Sequence, residues 1–314
     1  MSTFGPMWIA AIAFLATVAD APVGCPRADA SLGAIATRIG ERAAHAAASA
    51  TESFPPPAPA SGLERPVHSS THAGLVFLPR GFHLDEGAFD VIVHFHGAPT
   101  VLEDALEAAG LHAALLTVNL GIGSGPYEDT YADTGALGRA VAAVALVVER
   151  TTSAAPHVRR IALSSFSAGY GAVSRILSSE RASAGVDAVL LSDGLHAGFT
   201  SAKAHTLDDR KMAPFVRFAS DAARGEKLMG ITHSAIETYD YASTTETAAY
   251  LLHEVRLEPT AGRSVGARGM IMTSVADRGG LHVRGFAGTT KEAHCDQLLS
   301  IGDNLFPFLA QRWP

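Results

Sequence analysis

The segment IALSSFSAGYGAV, residues 161–173, carries a serine among small residues at the end of an apolar run. Ser167 is followed by Ala168 and Gly169, and Ser165 stands two positions before it. Small residues let a strand and the next helix approach each other in a tight turn, where glycine tolerates strained dihedral angles. The pattern predicts Ser167 at the apex of such a turn, with its hydroxyl exposed as a nucleophile. The alternative is a serine-rich helix N-cap.

This segment resembles the nucleophile elbow of the α/β-hydrolase superfamily, G-x-S-x-G, with Ser165 where the first glycine is usual. The resemblance implies the α/β-hydrolase fold, a mainly parallel sheet with helices on both faces, and acyl transfer through Ser167. It covers about residues 75–312 and rests on short motifs and the order of elements. No cofactor is implied by this chemistry.

The order of catalytic residues in the superfamily is serine, acid, histidine, which implies His294 as the base that activates the serine. His294 stands between a predicted last strand, residues 281–288, and an amphipathic last helix. The resemblance places the catalytic histidine in this connection.

The acid has several candidates. Asp193 directly follows the apolar run AVLLS, and Gly194 then releases the chain. Glu237 and Asp240 follow the next predicted strand, the more usual position in the superfamily, but stand several residues beyond it. We favour Asp193 because a side chain at a strand end is held on a rigid element. His196, close to Asp193 in sequence, is an alternative to His294 as the base.

The oxyanion hole is expected near the run DVIVHFHGAP, residues 90–99. Its His-Gly pair resembles the HG motif that follows the third strand in superfamily members. The resemblance implies backbone amide donors at Gly97 or Ala98 and at Ala168, the residue after the nucleophile.

His94 and His96 alternate along the same predicted strand, so we expect them to share a face. H-x-H at a strand end is also how some metal-dependent hydrolases begin a metal site. A metal ion needs three or four converging ligands, and the sequence supplies two here. A third interpretation is a pair of packing histidines.

The substrate pocket is expected at the carboxyl ends of the strands, where sites collect in parallel sheets. The glycine-rich segment 119–133 is expected to form a loop over the elbow. The sequence has no arginine cluster for a phosphate or carboxylate and no long apolar lid for a triglyceride, so the substrate class is open between a carboxylic ester and an amide. The residues expected to line the pocket are His96, Ser124, Tyr127, His196 and His233.

Short apolar runs alternate with helical segments along the chain, which predicts βαβ units and a mainly parallel sheet. Strands are predicted at 90–97, 112–121, 160–165, 187–194, 227–236 and 281–288, and helices at 101–110, 134–150, 169–179, 207–224, 243–255 and 295–312.

The composition fits one large domain. The chain has 314 residues, of which 47% are hydrophobic and 18% are charged. Its net charge of −7 argues against a nucleic-acid partner, since no basic surface could neutralise phosphates.

The first residues resemble a secretory signal peptide. An apolar run from Met7 to Val18 precedes the small-residue site Ala19-Asp20-Ala21, although no Lys or Arg comes before the run. We therefore expect a secreted or periplasmic protein with no stable membrane span after leader removal. The expected division is a signal peptide and leader (1–30), an Ala/Pro-rich linker (31–62) and an α/β-hydrolase domain (63–314).

The chain has two cysteines, Cys25 and Cys295. Pro22 makes the sequence before Cys25 a poor lipoprotein box, so lipid anchoring there is a weak alternative. A disulfide would require leader cleavage to leave Cys25 in the mature chain. Cys295 is instead expected to pack as a small hydrophobic residue.

Three functional hypotheses follow. The first is an exported serine hydrolase that cleaves a carboxylic ester with Ser167, His294 and Asp193. The second is a catalytically silent hydrolase-fold protein that binds a cell-wall or polysaccharide ligand. The third is a metal-dependent hydrolase that uses His94 and His96.

Overall fold

The computed structural model describes residues 62–201 and 203–314. The predicted leader, the linker up to residue 61 and Cys25 therefore lie outside the described residues.

The described elements follow the alternation that the sequence predicted. The strands are β1 (Val67–Thr71), β2 (Gly74–Leu78), β3 (Ala88–Phe95), β4 (Ala114–Val118), β5 (His157–Phe166), β6 (Val186–Ser192), β7 (Ala197–Ser201), β8 (Thr206–Leu207), β9 (Leu228–His233), β10 (Tyr241–Ala242), β11 (Thr260–Ala261), β12 (Met272–Arg278) and β13 (Leu281–Phe286). The helices are α1 (Pro99–Ala108), α2 (Gly125–Tyr131), α3 (Ala136–Thr152), α4 (Tyr170–Ser178), α5 (Glu180–Ser183), α6 (Asp209–Ala223), α7 (Thr244–Glu254), α8 (Lys291–Leu299), α9 (Ile301–Asn304) and α10 (Phe306–Arg312).

A ten-stranded sheet forms the centre of the fold, in the order β1-β2-β4-β3-β5-β6-β9-β13-β12-β11. The strands from β4 to β13 in this order pair in parallel, whereas the strands at both edges pair antiparallel. A small antiparallel sheet, β10-β7-β8, accompanies it. Because the central strands point the same way, their carboxyl ends meet at one edge of the sheet.

Both faces of the sheet are covered by helices. Along β3, Val91, Val93 and Phe95 pack into one apolar layer and Ile92 packs into the other, so the whole strand is buried. This double burial explains why the central strands read as continuous apolar runs. Helices α3, α4, α6 and α7 contribute to the first layer, and α1, α8, α9 and α10 contribute to the second.

The last predicted helix, residues 295–312, is wrong in detail, because the structure has three short helices there. The backbone leaves helical geometry at Ser300, where φ is −111° and ψ is 15°. Pro307 then stands in the first turn of α10, a position from which it cannot extend the preceding helix. The segment 119–133, expected as a loop, contains α2.

The two antiparallel edges of the sheet were not predicted from the sequence. Hairpin β1–β2 precedes the first predicted strand, and β12 precedes the last one. The turn between β12 and β13 falls at Gly279 and Gly280, because Arg278 pairs with Leu281 across the hairpin. Gly279 has a φ of +58°, which glycine adopts readily.

Cys295 lies in α8, directly after His294. It is disulfide-bonded, so the expectation that it packs as a free small hydrophobic side chain is wrong.

No single helix in the described part of the chain is long and apolar enough to cross a membrane. The pair α2 and α3, bent by 86°, meets the length and composition criteria together.

Candidate active site

The turn after β5 gives Ser167 an unusual backbone. Phe166 is still extended, with φ −118° and ψ 140°, but Ser167 has a φ of +48°. A left-handed conformation at a non-glycine residue costs about 1–3 kcal/mol, and such strain concentrates at functional sites. A 3₁₀ turn, Ser167–Gly169, leads into α4, and Ser167 is partly exposed. The local sequence thus forms the predicted sharp strand-to-helix turn.

The small residues around the turn are required by close backbone approaches. A Cβ atom on Gly169 would lie 2.1 Å from the carbonyl oxygen of Phe95, and one on Gly194 would lie 2.7 Å from that of Ser167. Ser165 is completely buried, and its Oγ has no hydrogen-bond partner within the described part of the chain. Serine is therefore accommodated where the elbow motif usually has glycine.

Asp193 and His294 form the central hydrogen bond of the site. His294 Nδ1 lies 2.7 Å from Asp193 Oδ2. The other carboxylate oxygen, Oδ1, accepts hydrogen bonds from the Ser234 amide at 2.8 Å and from Thr244 Oγ1 at 2.6 Å. Asp193 has a φ of +41° and is 2% exposed, so both its backbone and its side chain are tightly held.

The environment of Asp193 favours its ionised form. Burial raises the pKa of the carboxyl group. The hydrogen bond and charge of His294 and the hydrogen bonds from Thr244 and Ser234 lower it by more, so the pKa is about 2. An ionised carboxylate accepts the Nδ1 proton of His294, which leaves Nε2 available to take a proton from a nucleophile.

Phe166 links His294 to the serine turn. The ring centroids of Phe166 and His294 are 4.5 Å apart, and Phe166 directly precedes Ser167. Among the described residues no hydrogen bond joins Ser167 Oγ to His294. Catalytic hydrogen bonds often form fully only when substrate is bound. His294 lies in the first turn of α8, whose N-cap Thr290 accepts a hydrogen bond from the Ala293 amide.

The alternative acids and base lie elsewhere. Glu237 and Asp240 are exposed on the loop after β9, and neither bonds to His294 in the described structure. His196 Nδ1 lies 3.4 Å from the carbonyl oxygen of Ala242, and no hydrogen bond joins His196 to Asp193 in the described structure. The geometry therefore pairs Asp193 with His294.

The turn after β3 narrows the choice of oxyanion donors. The Gly97 amide donates to Asn119 Oδ1 at 3.0 Å, and Asn119 Nδ2 donates to the Gly97 carbonyl oxygen at 2.9 Å. The Gly97 amide therefore already donates its hydrogen bond within the protein, which leaves the Ala98 and Ala168 amides as the candidate oxyanion donors. Asn119 was not among the predicted site residues. The signal was a polar residue directly after β4, the strand that pairs with β3.

His94 and His96 have separate hydrogen-bond partners and do not converge on one position. His94 Nδ1 lies 2.8 Å from Ser164 Oγ, and its Nε2 lies 3.3 Å from the His96 carbonyl oxygen. Burial lowers the pKa of His94 to about 3. His96 lies past the strand with a φ of +66°, so the expected alternation on one face does not reach it. No group of three or more His, Cys, Asp or Glu side chains converges on a metal position in the described residues.

His196 lies between two aromatic rings at the predicted pocket. Its ring centroid is 5.4 Å from that of Tyr170 and 5.1 Å from that of Tyr241, both in edge contacts. Burial lowers the pKa of His196, so the ring is uncharged at neutral pH. Ser124, partly exposed near Tyr170, donates its hydroxyl to Glu128 Oε1 at 3.0 Å.

Tyr127 and His233 were expected to line the pocket, and both side chains are buried. Tyr127 is 0% exposed, and His233 is 8% exposed. His233 Nδ1 lies 2.9 Å from Thr245 Oγ1, whose proton goes to the Ser234 carbonyl oxygen at 2.7 Å. His233 thus supports the loop whose Ser234 amide binds Asp193.

Ser167, Asp193 and His294 follow β5, β6 and β13, and all three lie at the carboxyl edge of the parallel sheet. Their order along the chain, the strained serine turn and the acid–histidine hydrogen bond together match the superfamily arrangement. The fold is that of an α/β-hydrolase.

No protein-family model matches the sequence, and no curated protein matches it. Solved structures of similar fold include the esterase rPPE in mutant form, with 15% identity, a TM-score of 0.39 and coverage of 79% of this chain and 80% of that one. An S-formylglutathione hydrolase from Agrobacterium tumefaciens has 12% identity, a TM-score of 0.41 and coverage of 79% and 95%. A glucuronoyl esterase from Solibacter usitatus has 12% identity, a TM-score of 0.37 and coverage of 75% and 79%.

Proposed function

We propose that this protein is an exported serine hydrolase that cleaves a carboxylic ester through an acyl-enzyme on Ser167. The observation that carries the proposal is the 2.7 Å hydrogen bond from His294 Nδ1 to the buried carboxylate of Asp193. The ring of this histidine contacts Phe166, directly before the strained and partly exposed Ser167, and acyl transfer requires an oriented histidine close to such a serine.

In the proposed reaction, Ser167 Oγ attacks the ester carbonyl carbon while His294 Nε2 takes the serine proton. The Ala98 and Ala168 amides stabilise the resulting oxyanion, and removing one such donor typically costs about 3 kcal/mol. His294 then gives the proton to the departing alcohol. In the second half of the reaction His294 takes a proton from a water molecule, which attacks the acyl-enzyme, and returns a proton to Ser167 Oγ as the acid leaves. Asp193 stays ionised throughout and stabilises the protonated imidazole.

A neutral ester fits the charge of the site. Burial lowers the pKa of His96, and the nearby charge of His294 lowers it further, while burial also lowers the pKa of His196. Both rings are therefore uncharged at neutral pH, and they offer no fixed positive charge to a phosphate or carboxylate. This supports an ester with an uncharged group around the scissile bond.

Export is supported by two features. The apolar run and the Ala19-Asp20-Ala21 site are typical of secreted proteins, and cleavage after Ala21 would keep Cys25 in the mature chain. Cys295 is disulfide-bonded, which is rare in the cytosol. Cell fractionation with N-terminal sequencing tests this part of the proposal. Mature protein in the medium or periplasm, cleaved at a small residue, would support it, and uncleaved cytosolic protein would contradict it.

A fluorophosphonate probe tests the nucleophile, because it labels serines activated by a neighbouring base. We expect labelling of the wild-type protein at Ser167 and loss of labelling and of esterase activity in Ser167→Ala, with the same melting temperature. Ser178→Ala is the matched control, since Ser178 is exposed on α4 and its hydroxyl bonds the Ser174 carbonyl oxygen. Equal turnover by Ser167→Ala and wild type would exclude Ser167 as the nucleophile.

A further inference from the structure

His96 is held in a strained backbone at the edge of the site. It is the first residue after β3, and its φ of +66° lies in the left-handed region, which bulky residues rarely adopt. Its amide donates to the Val118 carbonyl oxygen at 3.0 Å, and the next residue, Gly97, is bonded through both backbone groups to Asn119. These contacts with the end of β4 therefore fix the backbone position of His96.

Tyr127 determines which nitrogen of His96 carries the proton. The Tyr127 hydroxyl accepts a hydrogen bond from the Leu120 amide at 3.2 Å and lies 2.9 Å from His96 Nδ1. Tyr127 is 0% exposed, and burial raises its pKa, so the phenol keeps its proton and needs an acceptor inside the protein. Within the described residues, His96 Nδ1 is the acceptor in reach. The imidazole proton of His96 therefore lies on Nε2.

The His96 ring lies against the serine turn. It stacks on Phe166, with centroids 6.1 Å apart and an interplanar angle of 14°, and Phe166 in turn contacts His294. His96 is partly exposed, and no described residue accepts a hydrogen bond from its Nε2. The ring thus carries an N–H with no acceptor among the described residues, and it stacks on the residue directly before Ser167.

A side-chain donor at His96 would add to the backbone donors of the proposed oxyanion hole. In the proposed site Gly97 cannot donate, because Asn119 occupies its amide, so the turn after β3 supplies one backbone donor, Ala98. A neutral imidazole can polarise a carbonyl group by hydrogen bonding, without transferring its proton.

We propose that His96 Nε2–H donates a hydrogen bond to the ester carbonyl oxygen as it becomes the oxyanion, with Tyr127 as the positioning residue that holds the donating tautomer. The inference rests on the proposed function. His96 forms and breaks no covalent bond, and its proton stays on Nε2 throughout.

His96→Phe tests the donor while it keeps a ring on Phe166. Because the hydrogen bond strengthens as charge develops, we expect kcat to fall about 100-fold while KM changes less than about threefold. His96→Gly, which tolerates the left-handed backbone and has no side-chain donor, provides a second variant should His96→Phe fold poorly. His253→Phe is the control, since the His253 side chain is 83% exposed on α7.

Tyr127→Phe tests the tautomer without touching the site. We expect kcat to fall about tenfold, and the double variant His96→Phe/Tyr127→Phe to be no slower than His96→Phe alone, because the tyrosine acts through the histidine. Nitrogen-15 NMR of the wild-type protein should show His96 protonated on Nε2, and the Tyr127→Phe protein should show a mixture of tautomers.

The outcomes separate this inference from the proposed function. Absence of fluorophosphonate labelling in folded wild-type protein would overturn the proposed function itself. Labelled protein in which His96→Phe keeps wild-type kcat, or raises KM alone, would overturn only the role of His96. A proton on Nδ1 of His96 would overturn the assignment to Tyr127.

Discussion

Thr244 Oγ1 lies 2.6 Å from Asp193 Oδ1, on the carboxylate oxygen that His294 does not use. The hydroxyl stands in the first turn of α7, where Ser243 and Glu246 form a capping box. The start of α7 therefore holds the Thr244 hydroxyl in place, and this hydroxyl orients the Asp193 carboxylate through its hydrogen bond. The position of the acid depends on α7 as much as on β6.

Thr244→Val should weaken both stability and activity. A hydrogen bond to a charged group is worth about 1.5–3 kcal/mol, so the free energy of unfolding should fall by about that amount. The carboxylate should also lose orientation, and we expect kcat to fall about tenfold. Urea denaturation and esterase kinetics measure both effects. Thr130→Val is the control, since Thr130 is exposed on α2 and its hydroxyl bonds the Pro126 carbonyl oxygen. Identical behaviour of the two variants would contradict a role for Thr244.

Asp193→Asn should preserve the fold and abolish most turnover. The amide cannot stabilise the protonated imidazole and favours the wrong tautomer of His294, which in a serine triad costs about 10⁴ in kcat. Glu237→Gln and Asp240→Asn should stay within about tenfold of wild type, since both residues are exposed and away from His294. A large loss in either of these variants, with an active Asp193→Asn, would assign the acid to the loop after β9.

The stability difference between wild type and Asp193→Asn should depend on pH. The folded pKa of Asp193, about 2, lies below the ordinary value of 3.8, so its ionisation stabilises the fold at neutral pH. This contribution is complete above the unfolded pKa and is lost as pH falls toward the folded pKa. We expect the difference in free energy of unfolding to shrink by about 1 kcal/mol between about pH 6 and about pH 3. A difference that is constant or grows on acidification would contradict the lowered pKa.

Gly169→Ala should destabilise the protein severely. The new Cβ would lie 2.1 Å from the Phe95 carbonyl oxygen, so β3 or the serine turn must shift. We expect a loss of about 3 kcal/mol or more and little remaining activity. Gly138→Ala in α3 is the matched control, because nothing lies within 4 Å of its Cβ and alanine favours helix by about 1 kcal/mol. Thermal melting compares the two, and equal melting temperatures would contradict the close packing at Gly169.

Local sequence was sufficient to predict the features of the fold that depend on residues close together in the chain. The run before Ser167 and the small residues after it predict a strand, a sharp turn and a helix, because a buried strand must be apolar and a tight turn excludes large side chains. The alternation of apolar runs and helical segments predicts a parallel sheet in the same way. Asp193 could be favoured over Glu237 because its position at a strand end is visible in the chain itself.

Tertiary structure alone decided the contacts between residues far apart in the chain. Asp193 and His294 are 101 positions apart, and only the order of strands in the sheet brings them within 2.7 Å. Asn119 takes the Gly97 amide because β4 pairs with β3, although α1 separates the two strands in sequence. Burial likewise makes Tyr127 a support for His96, because the exposure of a side chain depends on which elements pack over it. Periodicity records which face of an element is apolar, but the partner of that face is set only when the whole chain has folded.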